Sequence, residues 1–463
     1  MKVSLAPLAL VLSLVPSGLV PAVGQVPDQL KLSLPAVYPN FASSIAISGT
    51  RLVVGATGGG TSPTFGKTYV YDLSSGSPTM PVVTLDDPLG NASFGYPVAI
   101  SGTRVVVGVP NKKVGFNHPG GAYVYDLGSG TPTVPVATLD NPNPTPPPAF
   151  PVVPAFDYFG YSLAVDGPRM VVGAFAQNKA YIYDLSNGPP AAPLVTLTNP
   201  SPGSNIGFGR SVAISGTRAV VGAYNGGRVD VYNVSATTPI ATLYGPASNH
   251  FGASVAISGT RVVVGEDLEV TGSAGSAYVY DLDGPTPTIP IVTLYNPTSA
   301  AGDRFGSRVS ISGLRVVVGA LGDDTEGPDA GSVYVYDLGS ATPEVPVVRL
   351  HKPDPPFGGG FGSALAIDGS TIATGSSGID TGQVNKGAAY IFGPSPYSLW
   401  KVSQLNDQFA TDSGDGDGDG LCNLGEYGLL RSPTLPEGEP FSAASALYPE
   451  GERLRLFVPR DPA

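Results

Sequence analysis

The chain has 463 residues, 42 % of them hydrophobic and only 13 % charged, with 62 Gly, 48 Pro and a single Cys. Such an apolar composition excludes a disordered polypeptide, and the lone Cys422 excludes an intrachain disulfide. A net charge of −12 argues against nucleic acid or an anionic membrane as partner, because phosphate contacts need clustered Lys and Arg.

Residues 1–24 read as a secretory signal peptide. Lys2 precedes an apolar run from Leu5 to Val20, and Ala22-Val23-Gly24 places small residues before Gln25. At about sixteen residues, interrupted by Pro16 and Gly18, the run is too short to span a bilayer, and no later stretch reaches that length. No cysteine stands at the cleavage point, which argues against a lipoprotein anchor. The expected location is secreted, extracellular or cell-surface, with no membrane span after cleavage.

From Phe41 onward one sixteen-residue phrase recurs seven times. Its clearest copies are FGASVAISGTRVVVGE from Phe251 and FGSRVSISGLRVVVGA from Phe305, with others at Phe41, Phe94, Phe159, Phe208 and Phe361. The starts lie 53, 65, 49, 43, 54 and 56 residues apart, so each copy opens one supersecondary unit whose loops vary in length. Four strand-like runs fill a unit: VAIS and RVVVG about a Ser-Gly turn, then AYVYDL, then a short run such as PVATL. Val, Ile, Tyr and Thr dominate them almost without alternation, which predicts sheets covered on both faces. Sheets stacked around an axis satisfy that demand. The expected fold is all-β: a seven-bladed β-propeller of four-stranded antiparallel blades over residues 25–398. Leu30 to Leu34 stands before Phe41 where an outer run stands before every other copy. It is expected to complete the last blade after Ala389–Phe392 and so clasp the ring. Leu399 to Leu405 competes for that place but reads better as a helix leading into the next segment.

The phrase Phe-Gly-x-Ser-Val-Ala followed by Val-Val-Gly-Ala resembles the FG-GAP repeat of integrin α-subunit propellers and of many secreted bacterial proteins, over residues 41–392. Two copies depart from it: Phe41-Ala42 lacks the glycine, and Val229-Asp230-Val231-Tyr232-Asn233 replaces AYVYD. The resemblance to integrins implies an Asp-rich calcium loop between the first two strands of some blades. Here that connection is only Ser-Gly-Thr or its equivalent, so those sites are not carried over, and the short-hairpin bacterial branch is the nearer likeness.

Past Phe392 the character changes. Residues 399–432 hold Asp415, Asp417, Asp419, Gly420, Leu421, Asn423 and Glu426 at the spacing D-x-D-x-D-G-x5-E. The three aspartates would give side-chain oxygens to Ca2+, Leu421 its carbonyl, Asn423 a water-mediated contact and Glu426 both carboxylate oxygens. This resembles an EF-hand-like helix–calcium loop–helix element found in secreted bacterial proteins. A metal-free acidic linker is the alternative, and six correctly spaced positions favour calcium. Residues 433–463 form a Pro/Glu-rich tail with one strand-like run, Arg453 to Val458.

Catalytic motifs are missing from the sequence: His118, His250 and His351 are scattered in loops, and no H-E-x-x-H, G-x-S-x-G or P-loop occurs. The acidic residues Glu266, Asp267, Glu269, Asp323, Asp324, Glu326 and Asp329 fit no metal template and read as solvated loops. The Asp of each Tyr-Asp-Leu reads as a turn cap. Loops after Gly173 and Gly222 are short beside those after Gly108, Gly265 and Gly319, and the Pro-rich stretch from Asn141 to Asp157 is stiff. A notch is expected there, carrying Phe150, Phe156, Tyr158, Phe175 and Tyr224. Its rings would either stack on a sugar or grip a peptide, or else pack the proline segment onto the sheet tops. The expected function is a secreted, non-catalytic binding or adhesion module for an extracellular glycan or protein. Alternatives are a structural or display scaffold and, third, a polysaccharide-active enzyme, since fold alone does not choose.

Overall fold

The computed structural model describes residues 29–32, 40–58, 65–75, 77–91, 93–146, 154–201, 206–245, 250–267, 274–353, 359–377 and 387–393. The expected signal peptide, the calcium segment with Asp415, Asp417, Asp419, Leu421, Asn423 and Glu426, the tail, and Phe150 lie outside the described residues.

The described chain is all-β. Five separate four-stranded antiparallel sheets are present, and eight further strands form one sheet of two four-stranded halves. A representative unit runs Phe251–Ser258, Arg261–Glu266, Ser276–Asp281 and Val292–Tyr295. Ser258 stays paired with Arg261, so the hairpin turn is Gly259-Thr260, one residue later than the Ser-Gly pair suggested. Gly259 takes φ 61°, which glycine adopts without a Cβ penalty. The only helical pieces among the described residues are single 3-10 turns at Phe175–Gln177 and Tyr224–Gly226.

The second strand of each unit is buried on both faces because a sheet lies on each side of it. Val262 and Val264 pack toward the preceding unit with Val229, Val231 and Phe251. Val263 packs toward the following one with Phe305, Val309 and Val316. Each repeat phenylalanine meets at least one tyrosine edge-on or tilted, and Phe305 meets two, Tyr334 at 5.7 Å and Tyr336 at 6.4 Å.

Neighbouring sheets meet at backbone distance. A Cβ on Gly55, Gly173 or Gly265, the glycine of Val-Val-Gly, would collide with the carbonyl oxygen of Gly95, Gly209 or Gly306, the Phe-Gly glycine of the next unit. Those Phe-Gly glycines sit at φ between 86° and 96°. In the first unit Ala42 holds the place at φ 63°, and Gly375 of the last unit faces its carbonyl.

A second contact runs around the opposite rim. The turn amide of one unit donates to the Ser or Asp side chain that precedes the turn of its neighbour. Gly102 donates to Ser48 (3.1 Å), Gly167 to Ser101 (3.0 Å), Gly216 to Asp166 (2.7 Å) and Gly259 to Ser215 (3.1 Å). Gly313 donates to Ser258 (3.1 Å), Gly369 to Ser312 (3.0 Å), and Gly49 returns to Asp368 (2.6 Å), which closes the circle.

The chain ends of this circle are also sewn together. Gln29–Leu32 pairs antiparallel with Ala388–Phe392, Leu32 opposite Ala389, in a sheet that otherwise comes from the last repeat. This is the clasp expected from Leu30 to Leu34, displaced by one to two residues. Leu32 is buried in that seam.

Two sequence departures have structural answers. The lead-in to Phe159 is long because Phe156–Asp166 starts early and pairs in parallel with His118–Asp126, Phe156 opposite His118, which welds two units into the eight-stranded sheet. In the fourth unit Asp230 replaces a tyrosine that is buried in the others. Arg228 answers it with a bidentate pair, Nε to Oδ2 at 3.0 Å and Nη2 to Oδ1 at 2.9 Å, and Thr242 donates at 2.8 Å. Burial pushes the Asp230 carboxyl up, and these three donors pull it back.

Two stability predictions follow from these contacts. Gly265→Ala is expected to lose about 3 kcal/mol by forcing the sheets apart. Gly259→Ala, whose Cβ meets nothing within 4 Å, loses only the left-handed strain of ~1–2 kcal/mol. Urea unfolding of both variants checks the difference, and equal losses would contradict it. Arg228→Ala should cost about 3–5 kcal/mol by stranding a buried carboxylate. The double change Arg228→Lys with Asp230→Tyr, the pair that Lys67 and Tyr69 form in the first unit, should recover most of that loss in the same measurement.

Candidate functional site

The repeat itself builds a cavity. The three residues after each Phe-Gly pair, or two of them, reach the centre from all seven copies and line a space of about 330 Å³. The first of the three varies round the circle: Ser43, Tyr96, Tyr161, Arg210, Ala253, Ser307 and Ser363. The second is Ser44, Pro97, Ser162, Ser211, Ser254, Arg308 and Ala364. Where it is serine it ties neighbouring units, as when Ser162 donates to the Gly209 carbonyl at 2.8 Å and Ser254 to Gly306 at 2.8 Å. Tyr96, Tyr161 and Arg210 therefore stand on three successive copies, and Arg308 stands apart from them among small residues of the fifth to seventh. Tyr224, Asp267 and Arg304 complete the lining from loops. A second hollow of about 400 Å³ adjoins it, sharing Ser43, Tyr96 and Tyr161 and adding Asn40, Asn111 and Tyr158.

Four of the five predicted notch residues come together beside this mouth. His118 stacks on Phe156 (4.4 Å, 10°), Phe156 on Tyr158 (5.7 Å, 27°) and Tyr158 on Phe175 (5.1 Å, 13°). Tyr161 meets Phe175 edge-on at 4.5 Å and Tyr96 at 5.9 Å. The Arg210 guanidinium bridges to the fourth residue: it lies 4.4 Å over Tyr224 and 5.9 Å over both Phe175 and Tyr161. Tyr224 in turn stacks on His250 at 4.7 Å.

The rings are engaged with one another. They form a rigid wall; they are not free platforms, and only Phe156 is exposed. Short connections position them. The single 3-10 turns put Phe175 and Tyr224 directly after the second strand, and Asn178 at φ 51° returns the chain to the third. Asp157 accepts from Asn141 (2.9 Å) and from the Thr145 amide (2.9 Å), which pins the start of the proline segment under the wall.

Two further sequence readings are corrected. His118 and His250 are half-buried ends of the aromatic run, not solvated loop residues. Glu266, Asp267 and Asp323 are buried, while Asp324 and Asp329 are exposed as expected. Buried tyrosines need an acceptor for their hydroxyls. Tyr278 donates to Glu266 at 2.6 Å and Tyr334 to Asp323 at 2.6 Å. Burial works against the Asp323 carboxylate, yet hydrogen bonds from Thr325 and Tyr334, with Arg349 nearby, hold its carboxyl below the usual range. Burial pushes Asp267 up, partly offset by Arg304, whose Nη2 donates to it at 3.2 Å. His250 Nδ1 lies 2.9 Å from the Asp267 carbonyl oxygen. Burial likewise pushes the Tyr161 phenol up to about 12, so it stays a neutral donor at the mouth. The turn-capping role of the repeated aspartate holds: Asp126 accepts from the Gly128 amide at 2.9 Å, and Asp337 from Gly339 at 2.9 Å.

Sequence reasoning missed Tyr96, Tyr161, Arg210, Arg304 and Arg308. The signal was available, since each occupies a slot of the repeat that is small in other copies. Among the described residues no group of three or more His, Cys, Asp or Glu converges to hold a metal, and no helix is long and apolar enough to cross a membrane.

No curated protein matches the chain. The model of the FG-GAP repeat matches residues 82–125, 195–236, 245–280, 293–336 and 346–392. Each match begins at the outer strand of one unit and ends in or just past the third strand of the next, except 245–280, which begins one residue past the outer strand. The two copies passed over are the one holding Ala42 and the one entered through the proline segment. Five stretches of the chain are thus similar to the FG-GAP repeat, and the described residues fold as packed four-stranded antiparallel sheets consistent with propeller blades.

Proposed function

We propose that the chain is a secreted, non-catalytic binding propeller of seven blades that recognises an extracellular glycan or protein at the mouth of its central channel. One observation carries this reading. Within the repeated phrase, the positions just after Phe-Gly vary from copy to copy and line the central cavity, while the Phe, Gly and Val-Val-Gly positions that hold the sheets together recur in nearly every copy. A scaffold that only spaced other parts would have no cause to concentrate aromatic and cationic side chains there. The circle of turn-to-turn hydrogen bonds and the N-terminal clasp support seven blades in a closed ring. The signal-like residues 1–24 support secretion.

The segment at 415–426 is assigned one Ca2+. Its donors are all oxygen, as a hard cation requires: Asp415, Asp417, Asp419, the Leu421 carbonyl, Asn423 and Glu426. Calcium there would draw the acidic side chains together and order the segment that follows the propeller.

Binding is tested with the mature chain on immobilised extracellular polysaccharides and proteins. Retention on at least one, with the chain length of soluble polysaccharide unchanged, is the expected result. Shortened polysaccharide, or retention on none, would overturn the reading. Calcium is tested by calorimetry, with one site of Kd about 10⁻⁴ to 10⁻³ M expected for an extracellular module. Asp417→Ala and Glu426→Ala should each abolish it; heat of binding that persists in both removes the assignment.

A further inference from the structure

The channel mouth has a charge that the rest of the molecule does not. In a chain of net charge −12, three guanidinium groups and one carboxylate line the same cavity. The carboxylate, Asp267, pairs with Arg304. Among the described residues Arg210 and Arg308 form no salt bridge, and although Arg308 also acts on Asp267, three guanidinium groups against one carboxylate leave the cavity positively charged.

We propose that this mouth binds an acidic glycan, with Arg210 and Arg308 taking the carboxylate of a uronic acid residue. The inference deepens the reading of the chain as a binding module and rests on it. Four other copies fill the Arg210 slot with Ser or Ala, and five fill the Arg308 slot so, which shows that neither arginine is needed to close the ring. Arg210 is held in one orientation by Tyr224 at 4.4 Å, with Phe175 and Tyr161 beside it. A fixed, planar guanidinium suits two-point contact with a carboxylate and loses little freedom when it forms. Three residues facing the cavities, Asn40 at φ 60° and Tyr158 and Arg304 at φ 54°, stand immediately before their repeat phenylalanine, where two other copies have Gly207 and Gly360. Side chains held in a left-handed backbone position that glycine fills elsewhere are a mark of function.

The neighbouring hollow decides the class of ligand. Asn40, Thr57, Ser93, Asn111 and Ser377 line it with amides and hydroxyls, and Tyr158 and Tyr161 wall it. Hydroxyl-rich sugars match that surface, because amides and hydroxyls both donate to and accept from sugar hydroxyls, whereas a carboxylate uses only their donors. The first cavity, about 330 Å³, falls in the range of ~300–1,000 Å³ usual for small-ligand sites.

The test is calorimetric titration of the full chain with three probes: a hexuronic acid tetramer, its fully methyl-esterified form, and tetraglutamate. The acid tetramer is expected to bind at least tenfold more tightly than either of the others, and to weaken as salt rises from 50 to 500 mM, conditions chosen to span about a threefold change in screening length. Arg210→Ser and Arg308→Ser should each weaken it at least tenfold with the melting temperature kept. Arg308→Glu, at an exposed position, should abolish binding and guards against a folding artefact. Equal affinity for the ester would leave a glycan-binding module but remove the anion site. Preference for tetraglutamate would make this an acidic-peptide site. Failure of the acid tetramer to bind at all overturns the proposal, while retention on another polysaccharide would leave the broader reading standing.

Discussion

Everything in this molecule depends on how closely one sheet can approach the next at their inner edges. Two glycines per repeat set that distance, one presenting its carbonyl at φ near 90° and the other offering bare Cα. A Cβ on the second would strike that carbonyl, and the first carries a side chain only as Ala42 in the first unit. Once that approach is fixed, the valines of the second strand find partners on both sides and the phenylalanine drops against the tyrosines of its own unit. The low charge content follows too, because a strand flanked by two sheets has no face for a charged residue. Asp230 shows the rule by its exception: the carboxylate is tolerated only because Arg228 was placed two residues away to meet it.

The same geometry separates holding from recognising. Phe, Gly and the Val-Val-Gly run are committed to the contacts between sheets. The one or two positions immediately after Phe-Gly point to the centre, where substitution costs the ring little. Tyr96, Tyr161, Arg210 and Arg308 all arose in these positions, and the aromatic wall is completed from the two shortest loops. Packing rings against each other gives the wall its rigidity, and it is this that fixes the Arg210 guanidinium in place.

Much of the fold could be read from the sequence because the repeat states its own register. Strands begin at Phe41, Phe208, Phe251, Phe305 and Phe361 as the phrase indicated, and the N-terminal run took the outer place that its position before Phe41 implied. In the second copy the inner strand begins only at Val98, since Pro97 has no amide to offer the ladder. Harder to read was which repeat positions face the axis, because that depends on how the units curl round one another and not on alternation within a strand. Phe156, Tyr158, Phe175 and Tyr224 were found from loop lengths. Arg210 and Arg308 were not, although a comparison of the copies slot by slot would have marked both. The buried acids were misread for a different reason: nothing local shows that a tyrosine hydroxyl one strand away needs an acceptor.

The N-terminal strand has a consequence for the order of events during synthesis. Gln29 pairs with Phe392, so the first strand to be made waits for the last one of the ring before its edge is covered. Every repeat between them can fold on its predecessor as it emerges, since those contacts are between neighbours in sequence. The seam alone joins residues more than three hundred and fifty apart, and a contact of that range closes late. Until translation has passed Phe392, the growing stack presents an uncovered apolar sheet face at each end and an unpaired Gln29–Leu32 strand, and these are the surfaces at which two unfinished chains could join each other instead of closing on themselves.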